Sequence, residues 1–514
     1  MARTDGHVAG RTGQAPETFD SVNPATAEVI ATFPVFGPAE VNAAVERAQE
    51  AAAWWADLGW KERQTRLLAW KSHLIRFIGR LAALVHTETG KPLDDAKLEI
   101  VLAIAHIDWA ARNAKRVLEQ RRVRPGLTAL NQAASVEYVP LGVIGVIGPW
   151  NYPVFTPVGS IAYALAAGNA VLFKPSELTP AVGGWLVSSF AEVVPEHPVP
   201  QLITGAGTTG DALARSGVDK IAFTGSSATA RKVMEACAQN LTPMIAECGG
   251  KDALLVDSDA NLDAAADAAA WGAVSNAGQT CIGVERVYVV DEVYNSFIEK
   301  LTERMSKVRA GDDREADYGP MTMPSQAEVV EDHIADAMAR GGRAVVGGMQ
   351  SIRRPYVDPV ILADVPEQSM AVQDETFGPT VTVTRVSDLS EGVDRANANK
   401  YALGSTVFAG NVKKAMSAAR ALRSGMTAIN SVIAFATVPG LPFGGVGDSG
   451  FGRIHGADGL REFTRAKAIT RQRMRPPIAL TTFGRSDRDM RRIVTLVTLL
   501  HGRLYRPRGS RRAH

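Results

Sequence analysis

The stretch GVIGVIGPWNYPVFTPVGSIAYALAAGNAVLFKP, residues 142–175, sets the fold class of this 514-residue chain. It contains an apolar run at 143–147, a helical pattern at 156–167 and a second apolar run at 170–173. Two buried strands separated by a helix are typical of a parallel β-α-β unit, because parallel strands need a crossover connection. The sequence therefore predicts an α/β protein with a doubly wound parallel sheet.

The same alternation continues on both sides of this stretch. Further strands are predicted at 201–203 and 220–223, with helices at 180–194 and 208–216. A second alternating region, from about Met244 to Asn430, indicates a separate α/β domain that begins near 247–251. Upstream, amphipathic patterns predict helices at 38–58, 61–89 and 94–120, and extended segments are predicted at 28–33 and 135–138.

Composition places the chain among ordinary globular proteins, with 46% apolar and 21% charged residues. We find neither an apolar run of the roughly 20 residues that span a bilayer nor an apolar core of signal-peptide type before Asp20. Cys237, Cys248 and Cys281 are too few and too unpatterned for a disulfide framework or a zinc site. We therefore expect a soluble, cytoplasmic protein without a metal.

The basic residues are concentrated in the C-terminal tail. From Arg471 onward there are twelve Arg, no Lys and two acids, a balance of +10, so the preceding residues carry 2 − 10 = −8. We therefore expect no nucleic-acid partner for the body of the chain. In the tail, an apolar stretch at 493–500 lies among the arginines of 485–508. As a helix it could contact an anionic membrane surface; the alternative is a solvated or subunit-packing extension.

Cys281 is the best candidate for a nucleophile. It follows a helical pattern in the loop NAGQTCIG, residues 276–283, whose small residues leave the sulfur approachable. The alternative is a buried structural cysteine, which is how we interpret Cys237 and Cys248. A thiolate that attacks a carbonyl also needs an oxyanion donor and a base.

Two residues have the character that these roles require. Asn151 closes a predicted strand and can donate its side-chain amide to an oxyanion, although an Asn before a turn is often only a cap. Glu247 ends an apolar stretch before Gly249 and Gly250, where burial would raise its pKa and suit it as a base. A strand-end Glu can equally be a salt-bridge partner.

Two glycine turns compete as the phosphate site of a nucleotide. GAGTTG, residues 205–210, matches the G-x-G-x-x-G fingerprint after an apolar strand, but no acidic strand end follows about 20 residues later. Instead FTGSS, residues 223–227, stands there, and this second turn also opens a helix that could present N–H groups to a pyrophosphate. The residues alone leave both turns open.

Seven motifs together resemble the aldehyde dehydrogenase superfamily in their order and approximate spacing, over about residues 20–470. They are PWN at 149–151, KPSE at 174–177, FTGS at 223–226, ECGGK at 247–251, GQTC at 278–281, ETFGP at 375–379 and PFGG at 442–445. The resemblance implies an aldehyde dehydrogenase-like fold of two doubly wound α/β domains plus a small oligomerisation element. We assign 1–246 to a nucleotide-binding domain, with an oligomerisation strand segment near 121–140, and 247–435 to the catalytic thiol domain. In 436–475 the chain returns to the nucleotide-binding domain and the oligomerisation element, and 476–514 form the basic tail.

The resemblance also implies a mechanism. Cys281 attacks the aldehyde carbon, while Asn151 and the Cys281 backbone N–H hold the oxyanion. Hydride transfer to NAD(P) leaves a thioester, and Glu247 activates the water that releases the acid. A CoA-acylating relative and a non-catalytic binding protein on the same scaffold are the alternatives.

The cofactor site follows from the same resemblance, which favours the turn at Gly225 and Ser226 for the pyrophosphate. We predict cofactor contacts at Ile147, Pro149, Trp150, Lys174, Ser176, Glu177, Gly207, Phe223, Gly225, Ser226, Glu375 and Phe377. Glu177, near the adenosine ribose, favours NAD over NADP, which Lys174 could help to accommodate.

We expect the substrate aldehyde to enter an apolar channel lined by Tyr152, Phe155, Thr156, Thr280 and Ile282. We also expect the chain to form a homodimer or homotetramer.

Overall fold

The computed structural model describes residues 17–126, 129–475 and 481–502. The chain divides into two compact units. Of the described residues, the first unit comprises 17–118 and 139–465, and the second comprises 119–126, 129–138, 466–475 and 481–502.

A six-stranded sheet forms part of the first unit. Its strands, in spatial order, are Gly450–Phe451, Met244–Cys248, Lys220–Gly225, Val143–Ile147, Ala170–Lys174 and Pro200–Leu202. All neighbours are parallel except the first pair. The connecting helices are Phe155–Ala167, Pro180–Ala191, Gly207–Arg215 and Ser227–Ala238. The carboxyl ends of five strands therefore meet at one edge, where α/β proteins collect their ligands.

A seven-stranded sheet lies in the same unit. Its order is Arg343–Val346, Val360–Ala363, Thr380–Val386, Val284–Val290, Asp252–Val256, Ser405–Phe408 and Ala428–Ile429, and only the first strand is antiparallel. Its helices are Leu262–Val274, Asp291–Met305, Gln326–Ala339, Leu389–Asn397 and Val412–Ala421. The predicted α/β class with two parallel sheets is confirmed, whereas the domain boundaries stay a prediction.

The N-terminal region contains an antiparallel pair of strands and four helices. These are strands Thr18–Val22 and Val29–Pro34 and helices Pro38–Asp57, Gly59–Arg76, Ile78–Thr89 and Leu93–Leu118. The single helix predicted at 61–89 is wrong in one respect, because the structure has two helices there. Phe77, with φ −110° and ψ 18°, leaves the helical conformation and ends the first of them.

Shorter elements complete the first unit. They are strands Ile352–Arg353, Tyr356–Val357, Tyr401–Ala402 and Val446–Gly447, helices Met370–Gln373 and Gly456–Glu462, and 3-10 turns Ser275–Gly278, Met349–Ser351 and Ala434–Thr437.

The second unit contains most of a three-stranded sheet. Its strands are Arg121–Val123, Gln132–Pro140 and Thr464–Gln472, with the second in the middle. A helix follows at Asp487–His501, over the apolar and arginine-rich part of the tail. Across the described ranges, we find no helix that combines the length and the apolar character needed to cross a membrane.

Candidate active site

Glu247 lies at the carboxyl edge of the six-stranded sheet, one residue before the end of strand Met244–Cys248. Its side chain is 2% exposed, and Oε1 has no hydrogen-bond partner. The pKa of this carboxyl is raised to about 8, chiefly by burial; a hydrogen bond with the Cys281 thiol lowers it and the nearby Asp252 raises it, both to a smaller extent. A carboxyl in this state can take up or release a proton near neutral pH.

The Cys281 loop is held in an unusual backbone conformation. Asn276, Ala277 and Gly278 have φ of 53°, 56° and 70°, so the chain turns sharply after helix Leu262–Val274. A Cβ on Gly278 would lie 2.1 Å from the carbonyl oxygen of Gly378, which only glycine permits. This turn delivers Cys281 to the site in a partly exposed position.

Burial raises the pKa of the Cys281 thiol well above its ordinary value, and the carboxylates of Glu247, Glu375 and Asp252 raise it further. The thiol is therefore held protonated in the free protein. It needs a base beside it before it can act as a nucleophile.

Asn151 is tied directly to the cysteine loop. Its Nδ2 donates to the backbone oxygen of Gln279 at 2.9 Å. Gln279 is itself fixed, because its Oε1 accepts from the N–H of Thr322 at 2.8 Å. An amide nitrogen carries two protons, so Asn151 has a second proton to donate, and it lines the same cavity as Cys281.

A buried ion pair that the sequence reasoning missed supports this asparagine. Lys91 Nζ lies 2.8 Å from Glu99 Oε2 and also donates to the backbone oxygen of Asn151 at 2.7 Å. The other carboxylate oxygen of Glu99 accepts from the N–H groups of Val154 and Phe155 at 2.7 and 3.0 Å. The pair therefore fixes both ends of the segment 151–155.

Two cavities meet at these residues, and Cys281, Glu247 and Thr156 line both. The first cavity includes all five residues predicted for the substrate channel: Tyr152, Phe155, Thr156, Thr280 and Ile282. Tyr152 Oη and Thr280 Oγ1 are hydrogen-bonded at 3.0 Å within its wall. The cysteine and the glutamate thus stand between two separate spaces.

The second cavity contains half of the residues predicted for the cofactor. These are Pro149, Trp150, Gly225, Ser226, Glu375 and Phe377, together with Asn151. The others predicted are not among its lining residues. Ile147, Lys174 and Phe223 lie near the carboxyl ends of the neighbouring strands, and Ser176 and Glu177 follow Lys174. Gly207 begins helix Gly207–Arg215.

The turn at Gly225 and Ser226 has the form of a phosphate cradle. Ser226 caps helix Ser227–Ala238 by accepting from the Thr229 N–H at 3.2 Å, and the other N–H groups of the first turn have no helical acceptor. By contrast, the turn at Gly205 is filled by its own chain, since a Cβ there would lie 2.0 Å from Thr209 Oγ1. The second turn therefore lines this cavity with N–H groups of the kind that bind phosphate, whereas Gly205 is not among the lining residues.

Glu285, which the sequence reasoning also missed, supports Phe377 in the lining of the second cavity. Glu285 accepts from the N–H groups of Thr376 and Phe377 at 2.8 and 3.0 Å and pairs with buried Lys251. This support holds Phe377 at φ 51°, where its ring meets Trp150 edge to face at 5.6 Å. The available signal in the sequence was Glu285 itself, an acidic residue four positions after Cys281.

Comparison with known proteins adds independent information. The profile described as "Aldehyde dehydrogenase family" matches residues 11–469. The chain is 37% identical over 462 residues to the 4,4'-diapolycopene aldehyde oxidase of a Methylomonas species, covering 90% of this chain and 87% of that protein. It is 34% identical to a probable succinate-semialdehyde dehydrogenase [NADP(+)] of Sinorhizobium fredii, covering 88% and 92%.

Solved structures show the same likeness. PnpE from Pseudomonas sp. WBC-3 superposes with a TM-score of 0.86 at 33% identity, covering 90% of this chain and 96% of that one. PnpE in complex with nicotinamide adenine dinucleotide gives a TM-score of 0.85 at the same identity and coverage.

Proposed function

The chain belongs to the aldehyde dehydrogenase family and oxidises an aldehyde to a carboxylic acid with NAD(P), and we propose that it does so through a thioester on Cys281. The observation that carries this proposal is the position of Cys281 and Glu247 on the wall common to the two cavities. An aldehyde in the first cavity and a dinucleotide in the second would meet at that wall.

Glu247 supplies the base for the nucleophile. Its carboxylate takes the proton from Cys281 Sγ as the sulfur bonds to the aldehyde carbon, which gives a thiohemiacetal oxyanion and a protonated Glu247. The raised pKa values of both groups support this step, because the thiol stays protonated until a neighbouring base can accept its proton.

Asn151 stabilises the oxygen that becomes negative in this addition. Its free amide proton and the Cys281 backbone N–H are the two donors that we assign to the oxyanion. A fixed donor of this kind typically lowers the barrier by about 3 kcal/mol, because charge develops on oxygen only in the tetrahedral states. The Lys91–Glu99 pair acts by positioning Asn151.

The nicotinamide, when bound, supplies the acceptor for the hydride that leaves the carbon. We propose that Gly225, Ser226 and the N-terminus of helix Ser227–Ala238 hold the pyrophosphate, and that Glu375 and Phe377 flank the nicotinamide end. Lys174 and Glu177 are assigned to the adenosine ribose, with a preference for NAD over NADP.

Glu247 gives up its first proton to solvent and then acts a second time, to release the product. It takes a proton from a water molecule that attacks the thioester carbon, and the carbon–sulfur bond breaks to give the acid and the Cys281 thiolate. This role needs a carboxyl that titrates near neutral pH, which a value of about 8 supports.

The experiment that tests this proposal is an aldehyde panel with NAD and with NADP, without CoA, run on wild type, Cys281→Ala and Glu247→Gln. We expect reduction of the cofactor by wild type only. Glu247→Gln lacks the base proposed for both steps, so its Cys281 peptide should stay unacylated in a mass spectrum after mixing with aldehyde and cofactor, whereas wild type should show an acyl adduct. Activity in Cys281→Ala, or a requirement for CoA, would contradict the proposal.

We also propose that the chain is a cytoplasmic homodimer or homotetramer that contacts membranes through its tail. Helix Asp487–His501 supports the membrane contact, because Met490, Val494 and Val497 form an exposed apolar stripe on a helix that also carries Arg488 and Arg491. Co-sedimentation with anionic liposomes should pellet the full chain more than a chain that ends near Arg475. Equal pelleting would leave the tail as a solvated or subunit-packing extension.

A further inference from the structure

The first cavity, on the substrate side of Cys281, has a mainly apolar wall. Leu98, Leu102, Phe155, Trp271, Ile282 and Phe443 line it. Helix Leu93–Leu118 supplies Asp95, Leu98, Glu99 and Leu102 from one face, since these positions are three or four residues apart. Its lining is therefore suited to hydrocarbon and offers few polar groups to a substrate tail.

The charged groups of this cavity do not favour an anionic substrate. Its lining acids are Asp95, Glu99 and Glu247, and its lysine is Lys91. Lys91 is already used, because its Nζ contacts Glu99 and the Asn151 backbone oxygen and lies 4.3 Å from the Tyr152 ring centre. No arginine occurs among the described residues of the lining.

His455, which also lines the first cavity, adds no positive charge to it. His455 is 2% exposed, and burial together with the neighbouring His106 holds its pKa well below the ordinary range, so the ring is neutral at pH 7. A carboxylate carried on the substrate tail would thus enter an apolar space with acidic neighbours and no spare cation. Such burial of an unpaired charge is strongly unfavourable.

The outer part of the cavity is apolar as well. Leu98 is 50% exposed and Trp271 is 44% exposed, although both line the same space as Cys281. Large apolar side chains that stay half exposed beside a cavity can cover an apolar ligand that extends outward.

We propose, on the basis of the function proposed above, that the substrates are aldehydes with an extended apolar tail and that aldehydes with a carboxylate on the tail are rejected. Leu98 and Trp271 are the residues that contact the outer part of the tail. The substrate class is thus a hydrocarbon chain with the aldehyde at one end.

Steady-state kinetics on the full chain test this proposal. The panel is butanal, hexanal, octanal and decanal, with succinate semialdehyde as the four-carbon partner of butanal that carries a carboxylate. We expect kcat/KM to rise roughly fourfold per added methylene until the cavity is filled. Succinate semialdehyde should be at least about 100-fold poorer than butanal. Equal or faster oxidation of the semialdehyde would overturn the inference.

Two variants test whether Trp271 contacts the outer part of the substrate tail. Trp271→Ala should lower the ratio of decanal to butanal kcat/KM by about fivefold, while Met338→Ala, which removes an exposed apolar side chain elsewhere, should leave that ratio unchanged. An unchanged ratio in Trp271→Ala would overturn the assignment of the outer contact. If no aldehyde is oxidised, or if Cys281→Ala keeps its activity, the proposed function itself fails and not only the substrate class.

Discussion

Lys91 and Glu99 form an ion pair in the interior of the protein, with 2.8 Å between Nζ and Oε2 and side chains that are 1% and 0% exposed. The pair has a functional consequence because Lys91 also donates to the backbone of Asn151. One buried pair therefore links folding stability to the position of the proposed oxyanion donor.

Removal of Glu99 should lower both the stability of the protein and its activity. Glu99→Ala leaves the Lys91 ammonium buried without its carboxylate, which typically costs about 3–5 kcal/mol of unfolding free energy. We also expect kcat to fall while KM changes little. Urea denaturation followed by tryptophan fluorescence measures the first effect and initial rates measure the second.

The matched control is Asp94→Ala on the same helix. Asp94 pairs with Lys97 at 2.8 Å, but the two side chains are 91% and 45% exposed. Loss of such a surface pair typically costs under about 1 kcal/mol. Equal destabilisation by the two variants would mean that burial of the Lys91–Glu99 pair is unimportant.

Asn151→Ala should separate catalysis from loop structure. The variant loses the bond to Gln279 O, but this oxygen still accepts from Asn276 Nδ2 at 3.2 Å, so the cysteine loop stays held. We expect kcat to fall about 100- to 1000-fold, the usual effect of one lost oxyanion donor. Asn113→Ala, which removes a helix-surface amide that bonds Trp109 O, serves as the control and should keep wild-type kinetics.

The activity should depend on pH through Glu247. Its carboxyl acts as a base only when ionised, so kcat should rise with pH to a plateau with a midpoint near 8. Glu247→Gln should lose this dependence with the activity. A wild-type profile that is flat between pH 6 and 9 would remove Glu247 from the rate-limiting proton transfer.

Stability should change with pH in the opposite direction. The pKa of Glu247 is raised from an ordinary 4.5, so the folded state holds the proton more tightly than the unfolded state. This contribution to stability is complete below pH 4.5 and is lost as the pH rises through about 8. The free energy of unfolding of Glu247→Gln minus that of wild type should therefore increase between pH 5 and pH 9, as measured by denaturation at each pH. Asp252, whose pKa is also about 8, is present in both proteins and cancels.

Local patterns were sufficient to predict much of this fold. The run at 143–147 is a strand with those limits, and the strand predicted at 170–173 ends one residue later, because continuous apolar runs between helices leave few other interpretations. The break at Phe77 was missed, since the amphipathic pattern continues across it and only the backbone angles of one residue differ.

The sequence indicated the reacting groups better than their supports. Cys281, Glu247 and Asn151 stand out because each occupies a strand end or loop with small neighbours. Lys91, Glu99 and Glu285 did not stand out, because their partners are distant in the chain. Lys91 reaches the backbone of a residue 60 positions away, and no local pattern encodes such a contact.

Gly278→Ala should test the turn that positions the cysteine. A methyl group there would lie 2.1 Å from the carbonyl oxygen of Gly378, at φ 70°, so the turn must move and carry Cys281 with it. We expect a lower unfolding midpoint and a lower kcat. Gly79→Ala is the matched control, because a Cβ there meets nothing within 4 Å in helix Ile78–Thr89. That change should be neutral or stabilising by up to about 1 kcal/mol.

Glu177 is expected to set the choice between NAD and NADP. Its exposed carboxylate follows strand Ala170–Lys174, while the Lys174 ammonium is buried and donates to the backbone oxygen of Pro175 at 2.9 Å. A carboxylate at the ribose accepts hydrogen bonds from its hydroxyls but repels an added phosphate, and Lys174 in this arrangement is already engaged. Glu177→Gln should therefore raise the ratio of kcat/KM for NADP to that for NAD by about tenfold, since a neutral amide removes the repulsion and keeps one acceptor. Glu192→Gln, which neutralises an exposed acid beyond helix Pro180–Ala191, should leave the ratio at the wild-type value. A wild-type preference for NADP, or the same ratio in both variants, would place the specificity of this enzyme in another residue.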